Sequence, residues 1–597
     1  MQRPADVWSP GRDTQAVATA RVLGQSPDNV HAPAWGVLGN LGDSICYAGV
    51  PAKVAAIQAA LSRRIIDQAL PVRLIAPNFA GGISDGQRNG TPEMRYSLIG
   101  RETTNDGVCL HLEGSDVRAV IAVVACDKPP VGTLAAILEH NVPSIIMSDG
   151  SIRPGIDALT GEPIDIISCF QAAGDPDLGK RERYARTASP GHGSCGGMFT
   201  YNTMQSFIAT LGMEPLHMVA PASEDARRVG EFPVQLIDDL EVLSERNIRP
   251  RDIVTPAALR NATLVALAMG GSTNVVLHAP EIARAAGIDF WSSVMTQDDF
   301  NASSRTLPVL VNARPFGAYS MVDIDRTGGL QVIVRELLDA GLLDGECVTC
   351  TGETLAGQVE RLDPPAPDGD VVHSVGAPFK TTGGLRLLRG NLAPGGGAVL
   401  KVAGVEGGIE NGRFTGTARV FNSEAALVTS LTTTPEVFGD NDMVVIRYEG
   451  PRGAPGMPEL LDPTSRITAL CRQRNITIAL MTDARFSGGS VGLVIGHVGP
   501  EAAVGGPIAL VEDGDTVVVD LNDETLECPE LADRTRYATR LARWRHEAEG
   551  NGGVHPLVRD VDTRLLRRMR ACALPALLGG GLSEPGVTAD RREARSR

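Results

Sequence analysis

A nine-residue run from Val117 to Ala125, apolar except for one arginine, is the feature that most constrains how this chain can fold. Such a run, followed by prolines and a glycine, is typical of a strand buried in an α/β sheet. Cys126, Asp127 and Lys128 come directly after it. Because ligands bind at the carboxyl ends of strands in such sheets, we predict that these three side chains belong to a functional site.

The three side chains differ in the chemistry that they offer. A cysteine thiolate is a soft ligand that suits iron, whereas a carboxylate is a hard ligand that suits magnesium. A lysine can lose its charge where its surroundings favour the neutral amine. Together, Cys126, Asp127 and Lys128 therefore predict a site with two kinds of metal centre.

A second cysteine, Cys195, lies in a glycine-rich turn before a helix predicted over residues 199–211. The positive end of that helix is expected to favour a thiolate over a thiol at Cys195. A single buried cysteine is normally an inert apolar residue. Two cysteines in glycine-rich loops after apolar segments instead favour a role as ligands.

Composition restricts the class of protein. At 597 residues, with 43% hydrophobic and 21% charged residues, the chain is globular and too long for a single core. The net charge of −16 argues against binding to nucleic acid or to an anionic membrane surface. No membrane-length apolar stretch or signal peptide is evident. Ten cysteines without framework spacing indicate a reducing compartment, and we predict a cytoplasmic protein.

The organisation of the chain predicts two domains. Apolar strand patterns alternate with helical ones as far as a proline-rich break at 363–372, which predicts a layered α/β domain over residues 1–370. Short β-rich runs follow, and they predict a β-barrel-like domain with flanking helices over 371–597. These runs lie at 398–403, 416–421, 442–448, 477–482, 508–511 and 516–520.

Three further loops carry candidate site residues. Asp85 stands in a polar, glycine-punctuated loop, either as a hard-metal ligand or as a simple turn aspartate. Glu459 follows a loop fixed by glycine and proline, either as a site carboxylate or as an acid at a helix start. Ser487 stands in a glycine-rich loop after an apolar run, where serine is normally a turn residue. To act as a base it would need a metal or oriented amides nearby.

Six ordered motifs resemble the dihydroxy-acid and sugar-acid/phosphogluconate dehydratase family, and they come closest to its dihydroxy-acid branch. The motifs are Cys126-Asp-Lys-Pro-Pro-Val-Gly132, Gly193-Ser-Cys-Gly-Gly-Met-Phe-Thr-Tyr-Asn-Thr-Met204, Gly270-Gly-Ser-Thr-Asn274, Gly390-Asn-Leu-Ala-Pro-Gly395, Arg447-Tyr-Glu-Gly-Pro451 with Gly456-Met-Pro-Glu459, and Asp483-Ala-Arg-Phe-Ser-Gly-Gly489. So many motifs in one order make accidental similarity very improbable.

The resemblance implies cofactors and a role for each candidate. It implies a [2Fe–2S] cluster, with [4Fe–4S] as the alternative, beside a Mg²⁺ ion. The cluster ligands are implied at Cys46, Cys126 and Cys195. The Mg²⁺ ligands are implied at Asp85, Asp127, Glu459 and, as a carbamate, Lys128. Ser487 matches the base that takes a proton from the substrate.

The function implied by the resemblance is that of a hydro-lyase, which removes water from a 2,3-dihydroxy carboxylate to give a 2-keto acid. The first choice of substrate is 2,3-dihydroxyisovalerate, in branched-chain amino acid biosynthesis. The resemblance also implies a homodimer, and no nucleic acid or membrane partner is expected.

Three alternatives stay open at this point. One is a sugar-acid dehydratase that converts an aldonate to a 2-keto-3-deoxy acid. Another is a non-catalytic iron–sulfur protein for electron transfer or sensing, which explains the cysteines but not Asp127, Lys128, Glu459 and Ser487. The third is an inactive paralogue with a regulatory role.

Overall fold

The computed structural model of the chain describes residues 9–22, 24–175, 177–402 and 408–583. Within them, a parallel five-stranded sheet lies in the N-terminal part and a closed eight-stranded barrel lies in the C-terminal part. The predicted fold class, a layered α/β domain followed by a barrel-like domain, is confirmed. The first barrel strand begins at Leu385, and the division at residue 370 stays a prediction.

The N-terminal sheet has the order β2-β1-β4-β5, and a short strand, β3, also pairs with β1. Its strands are β1 (Ala34–Leu41), β2 (Arg73–Ile75), β3 (Asn78–Ala80), β4 (Val117–Val124) and β5 (Ser144–Ser148), and a separate hairpin adds β6 (Gly155–Ile156) and β7 (Pro163–Ile164). Almost every residue of β4 is buried, as its apolar run predicts. Because the strands are parallel, the loops after β1 and β4 lie at the same edge of the sheet.

Helices cover this sheet and extend beyond it. They are α1 (Pro10–Val22), α2 (Val50–Asp67), α3 (Asp85–Arg88), α4 (Tyr96–Gly114), α5 (Pro129–His140), α6 (Ile166–Gln171), α7 (Leu178–Thr187), α8 (Thr200–Thr210), α9 (Phe232–Arg246), α10 (Pro250–Ile253), α11 (Pro256–Ala268), α12 (Val275–Ala285), α13 (Gln297–Thr306), α14 (Met321–Arg326), α15 (Leu330–Asp339) and α16 (Leu355–Leu362). Among the described residues, no helix combines the length and the apolar character needed to cross a membrane.

Proline placement explains how β4 gives way to a helix. Pro129 and Pro130 not only end the strand but also form the first turn of α5, where a proline loses no helical hydrogen bond. Lys128 is the residue that precedes this helix. The three side chains after β4 are thus held in a short, constrained connection between two buried elements.

The barrel closes in the order β10-β11-β12-β13-β9-β8-β15-β14. Its strands are β8 (Leu385–Gly390), β9 (Ala393–Lys401), β10 (Arg413–Phe421), β11 (Asp442–Ile446), β12 (Ile478–Thr482), β13 (Val494–Gly496), β14 (Thr516–Asp520) and β15 (Thr525–Glu527). The helices of this part are α17 (Glu424–Thr433), α18 (Leu461–Arg474), α19 (Pro529–Ala532), α20 (Arg534–Gly550) and α21 (Arg564–Cys572). Strands β10 to β13 run parallel, so the loops after β11 and β12 leave the barrel at one end.

Two local predictions are wrong. Residues 508–511 were expected to form a strand, but Pro507–Leu510 is a buried 3-10 turn. A short apolar run does not distinguish a strand from another buried segment, and the proline favours a helical turn. The first forty residues lack a regular apolar pattern, which predicts irregular structure, but the described part of this stretch includes helix α1. Its acidic first turn and basic last turn match the polarity of a helix.

Candidate active site

The three cysteines predicted as cluster ligands line one cavity of about 620 Å³. Cys46 follows β1, Cys126 follows β4, and Cys195 lies in the loop before α8. Asp85 and Asp127 line the same cavity. Residues from four separate segments therefore meet at the carboxyl edge of the parallel sheet, which is where ligands bind in such sheets.

A hydrogen bond from the Cys126 backbone to the Ser194 side chain connects the loops that carry Cys126 and Cys195. Cys126 has a left-handed backbone with a φ of +64°, and its N–H donates a hydrogen bond of 2.8 Å to Ser194 Oγ. In the second loop Gly193 has a φ of +129°, and a Cβ there would lie 2.7 Å from the Ile152 nitrogen. Only glycine fits this position, so the glycine-rich sequence brings the Cys195 loop close to the sheet.

The thiols influence one another. Cys46 and Cys126 share a hydrogen bond, which lowers the pKa of the Cys46 thiol despite its burial and raises the pKa of Cys126 well above its ordinary value. The hydroxyl of Ser84 lies 3.9 Å from Cys46 Sγ. Cys46 lies outside the six sequence motifs, and these contacts place it beside Cys126.

The expectation that the end of helix α8 favours a Cys195 thiolate is wrong. Helix α8 begins at Thr200, several residues after the cysteine. Burial raises the pKa of Cys195 well above its ordinary value, and the nearby Cys46 and Asp127 act in the same direction. The influence of a helix dipole is confined to its first turn, and here burial outweighs it.

A second group at the same place consists of carboxylates. One ligand oxygen from each of Asp85, Asp127 and Glu459 lies within 4.8 Å of the others, an arrangement that could hold a metal ion. Asp85 begins α3, Asp127 follows β4, and Glu459 comes from the barrel part. Burial raises the pKa of Asp127 to about 7, and the carboxylates of Asp85 and Glu459 also raise it. A divalent cation would relieve this repulsion.

Two cations already compensate part of the negative charge. Lys128 Nζ lies 2.8 Å from Asp85 Oδ2 and 3.7 Å from Asp127 Oδ2. The buried guanidinium of Arg485 lies 3.3 Å from Asp85 Oδ2 and forms an ion pair with Glu459. Burial alone would raise the pKa of Asp85, but Lys128 and Arg485 outweigh it and hold the pKa below its ordinary value.

Glu459 was predicted either as a site carboxylate or as an acid at the start of a helix, and it does not lie within a helix. Helix α18 begins at Leu461, and the backbone at Glu459 instead pairs with that at Arg485. Asn274 Nδ2 lies 3.4 Å from Glu459 Oε2, and Asn274 Oδ1 is buried without a hydrogen-bond partner. The carboxylate therefore faces the other acidic groups and has a polar neighbour with a free acceptor.

Ser487 lies in the loop after β12 and is 6% exposed. Its Oγ accepts a hydrogen bond of 3.2 Å from the Gly489 N–H, as expected of a turn serine. A Cβ at Gly488 would lie 2.8 Å from Phe199 Cα, and one at Gly489 would lie 2.2 Å from Ile167 Cδ1. The loop thus packs on Phe199 and Ile167, two members of a small buried cluster against which Cys195 also packs.

Three polar residues at the site were not predicted from the sequence: Arg485, Ser97 and Asn274. Arg485 Nη2 donates to Ser97 Oγ at 2.8 Å, and Ser97 in turn donates to Asp85 Oδ1 at 2.6 Å. Arg485 stands inside the Asp483-to-Gly489 motif, so a buried role for it had a signal in the sequence. Ser97 carries no such signal, because it lies in an ordinary helical stretch.

Comparisons with known proteins identify the family of this chain. Residues 50–358 match the N-terminal model, and residues 370–578 the C-terminal model, of the dihydroxy-acid/6-phosphogluconate dehydratases. The chain belongs to this family. It is therefore an enzyme of the dehydratase class, a hydro-lyase, and the resemblance seen in its motifs is confirmed.

Several relatives are similar over most of their length. A protein named dihydroxy-acid dehydratase 2 from Corynebacterium efficiens is 41% identical over 459 residues, which are 74% of this chain and 77% of the relative. Dihydroxy-acid dehydratases from Leifsonia xyli subsp. xyli and Thermosynechococcus vestitus are 42% and 39% identical, over 77% and 78% of this chain and 80% and 81% of their own.

Proposed function

We propose that this dehydratase converts a 2,3-dihydroxy carboxylate of the 2,3-dihydroxyisovalerate type to its 2-keto acid, in branched-chain amino acid biosynthesis. The observation that carries the proposal is the meeting of three cysteines with Asp85 and Asp127 at one cavity, where these two carboxylates form a group with Glu459. The names of the similar proteins support the same substrate class. An iron–sulfur protein with only a redox role would not need the carboxylates.

The residues fit the two cofactors that we propose. Cys46, Cys126 and Cys195 supply soft sulfur ligands for an iron–sulfur cluster, [2Fe–2S] or alternatively [4Fe–4S]. The buried carboxylates supply hard oxygen ligands for Mg²⁺. When bound, the two centres supply Lewis acidity toward the departing C3 hydroxyl and toward the charge that develops next to the carboxylate.

Lys128 contributes to the Mg²⁺ site in this proposal as a carbamate. Its Nζ lies 2.8 Å from Asp85 Oδ2 and 3.7 Å from Asp127 Oδ2, so a carboxylate formed on that nitrogen would lie next to the other proposed ligands. Reaction of the neutral amine with CO₂ releases a proton and replaces a cation with an anionic oxygen ligand. The protonated amine of Lys128 repels Mg²⁺, whereas the carbamate would attract it.

Ser487 would act as the base that removes the C2 proton. Its Oγ already accepts the Gly489 N–H, and an oriented N–H stabilises an alkoxide more than a hydroxyl. Burial of the loop excludes water from competing for the proton.

The cavity wall favours a branched alkyl group over a row of sugar hydroxyls. Its branched aliphatic side chains are Ile45, Ile152, Ile156, Ile166 and Val322. A sugar acid would leave its hydroxyls unpaired against such a surface, at a cost in binding free energy. Polar and charged side chains also line the cavity, so a sugar-acid activity is the competing outcome of the test.

The test is an assay for 2-keto acid release by protein purified without oxygen, with Mg²⁺ present and the visible spectrum recorded. The substrates are 2,3-dihydroxyisovalerate, arabinonate, xylonate, gluconate and 6-phosphogluconate. We expect turnover of dihydroxyisovalerate by a brown protein, and loss of turnover in Ser487→Ala. Turnover of a sugar acid alone would overturn the substrate, and a brown protein inactive on all five would overturn the function.

We also propose a cytoplasmic homodimer. All ten cysteines are free thiols in the structure, which supports a reducing compartment. The dimer is what the family resemblance implies. Sedimentation of the purified protein would test it.

A further inference from the structure

Lys401 is a buried lysine next to the loop that carries Ser487. It is the last residue of β9 and is 1% exposed. Its Nζ donates a hydrogen bond of 2.6 Å to the carbonyl oxygen of Gly488, the residue after Ser487. Neither the motifs nor the cofactor ligands explain this contact.

The surroundings of Lys401 offer little that would stabilise a positive charge on its amine. Its Nζ lies 4.4 Å from the centre of the Phe316 ring, and Lys380 Nζ lies 5.2 Å from the same ring. Within the part of the chain that the structure describes, no ion pair joins Lys401 to a carboxylate. A buried cation without such a partner is strongly unfavourable, and an apolar residue would normally pack there with greater stability.

The groups on neighbouring elements leave the lysine poised to change its protonation. Burial lowers the pKa of Lys401 to about 7, and the charge of Lys380 lowers it in the same direction. Arg386 on β8 is directed to Ser304 by a hydrogen bond of 2.7 Å. Burial also lowers the pKa of His497, which follows β13, to about 3, so this imidazole carries no charge near neutral pH.

We propose that Lys401 is a positioning residue for the Ser487 base. Its hydrogen bond fixes the Gly488 carbonyl and thereby the turn in which the Gly489 N–H meets Ser487 Oγ. Its positive charge favours the alkoxide form of Ser487 over the hydroxyl form. The inference rests on the proposed function, since it takes Ser487 to be the base.

A serine hydroxyl near neutral pH is a weak base, and a single N–H does little to change that. A cation in a site of low dielectric constant stabilises a nearby anion far more than it would in water. The peptide carbonyl held by Lys401 also turns its N–H side toward the serine, because the carbonyl and N–H of one peptide unit point in opposite directions.

The experiment compares Lys401→Met, Lys401→Arg and wild type, with Lys380→Met as the matched control on the same aromatic ring. For each, kcat and KM for the active substrate are measured from pH 6 to about 9.5 in the cofactor-loaded enzyme, a range that spans the lowered lysine pKa. Cluster content and thermal unfolding are recorded for each variant. These two readouts separate a loss of structure from a loss of positioning.

We expect Lys401→Met to lower kcat about tenfold or more with little change in KM, because the lost effect acts on the base. Its rising limb in the pH profile should move upward by about one pH unit or more. Lys401→Arg should retain most of kcat. Because arginine stays protonated, this variant should also keep its activity at the high pH at which deprotonation of Lys401 lowers the activity of wild type. Lys380→Met should keep the wild-type rising limb.

A wild-type pH profile and kcat in a folded Lys401→Met would overturn the positioning role. If that variant does not fold, a Lys401→Arg profile that falls at high pH together with wild type would overturn it instead. Failure of the proposed function looks different. Wild type itself would then be inactive on the substrate panel, or Ser487→Ala would keep full turnover.

Discussion

Single residues decide which chemistry the cavity can support. Arg485 contacts both Asp85 and Glu459, and Lys128 contacts Asp85 and Asp127, so three buried acids share two cations. The group keeps a deficit of positive charge that a bound divalent cation would meet. Cys126, the residue before Asp127 in the sequence, shares a hydrogen bond with Cys46. A soft thiol and a hard carboxylate are therefore neighbours in the sequence, at Cys126 and Asp127.

The first prediction concerns Cys46. In Cys46→Ser the iron content and the visible absorption of the anaerobically purified protein should fall to a small fraction of wild type, because a hard hydroxyl replaces a soft ligand. Cys350→Ser is the matched control, since Cys350 is buried like Cys46 but does not line the cavity. An intact cluster in Cys46→Ser would exclude it as the third ligand.

At the scale of elements, the connections after strands hold the two parts of the molecule together. Gly456 has a φ of +103°, and a Cβ at this position would lie 1.4 Å from the carbonyl oxygen of Arg95. Leu98, at the start of α4, donates its N–H to the Gly456 carbonyl at 3.4 Å. The loop that delivers Glu459 therefore touches the N-terminal part with no room for a side chain.

We predict that Gly456→Ala destabilises the protein by about 3 kcal/mol or more, since it combines a strained backbone with a steric clash. It should also weaken the response to Mg²⁺, because Glu459 follows three residues later. Urea unfolding measures the first effect. Gly395→Ala is the control, because a Cβ there meets nothing within 4 Å, and similar stability of the two variants would contradict the argument.

The sequence predicts some elements well and others poorly, for physical reasons. The strand before Cys126 is predictable because burial on both faces demands an apolar run. The 3-10 turn at Pro507–Leu510 is not, because burial without periodicity does not fix the backbone. Candidate ligands were visible as polar residues after strands. The contacts of Lys401 with Gly488 and of Arg485 with Asp85 were not, because they join residues 87 and 400 positions apart.

At the scale of the whole molecule, the carboxylate group joins the two parts of the chain. Asp85 and Asp127 come from the α/β part, and Glu459 comes from a loop of the barrel part. Bound Mg²⁺ would thus connect the two parts, whereas the unneutralised acids repel one another. Metal binding at this position should be coupled to stability of the entire fold.

We predict that Mg²⁺ raises the thermal unfolding temperature relative to EDTA. At a concentration 100-fold above the dissociation constant the added stability would be about 2.7 kcal/mol. Glu459→Gln should lose most of this shift, whereas Glu241→Gln, at a partly exposed ion pair with Arg64, should keep it. An equal shift in both variants would place the ion elsewhere.

The most direct test of the central claim, that one cavity serves both centres, is electron paramagnetic resonance of the reduced enzyme during substrate binding. Addition of 2,3-dihydroxyisovalerate with Mg²⁺ should change the g values of the cluster signal, and the change should be lost in Glu459→Gln. A signal that is the same with and without substrate, under conditions where the enzyme turns over, would contradict a shared site for the cysteines and the carboxylates.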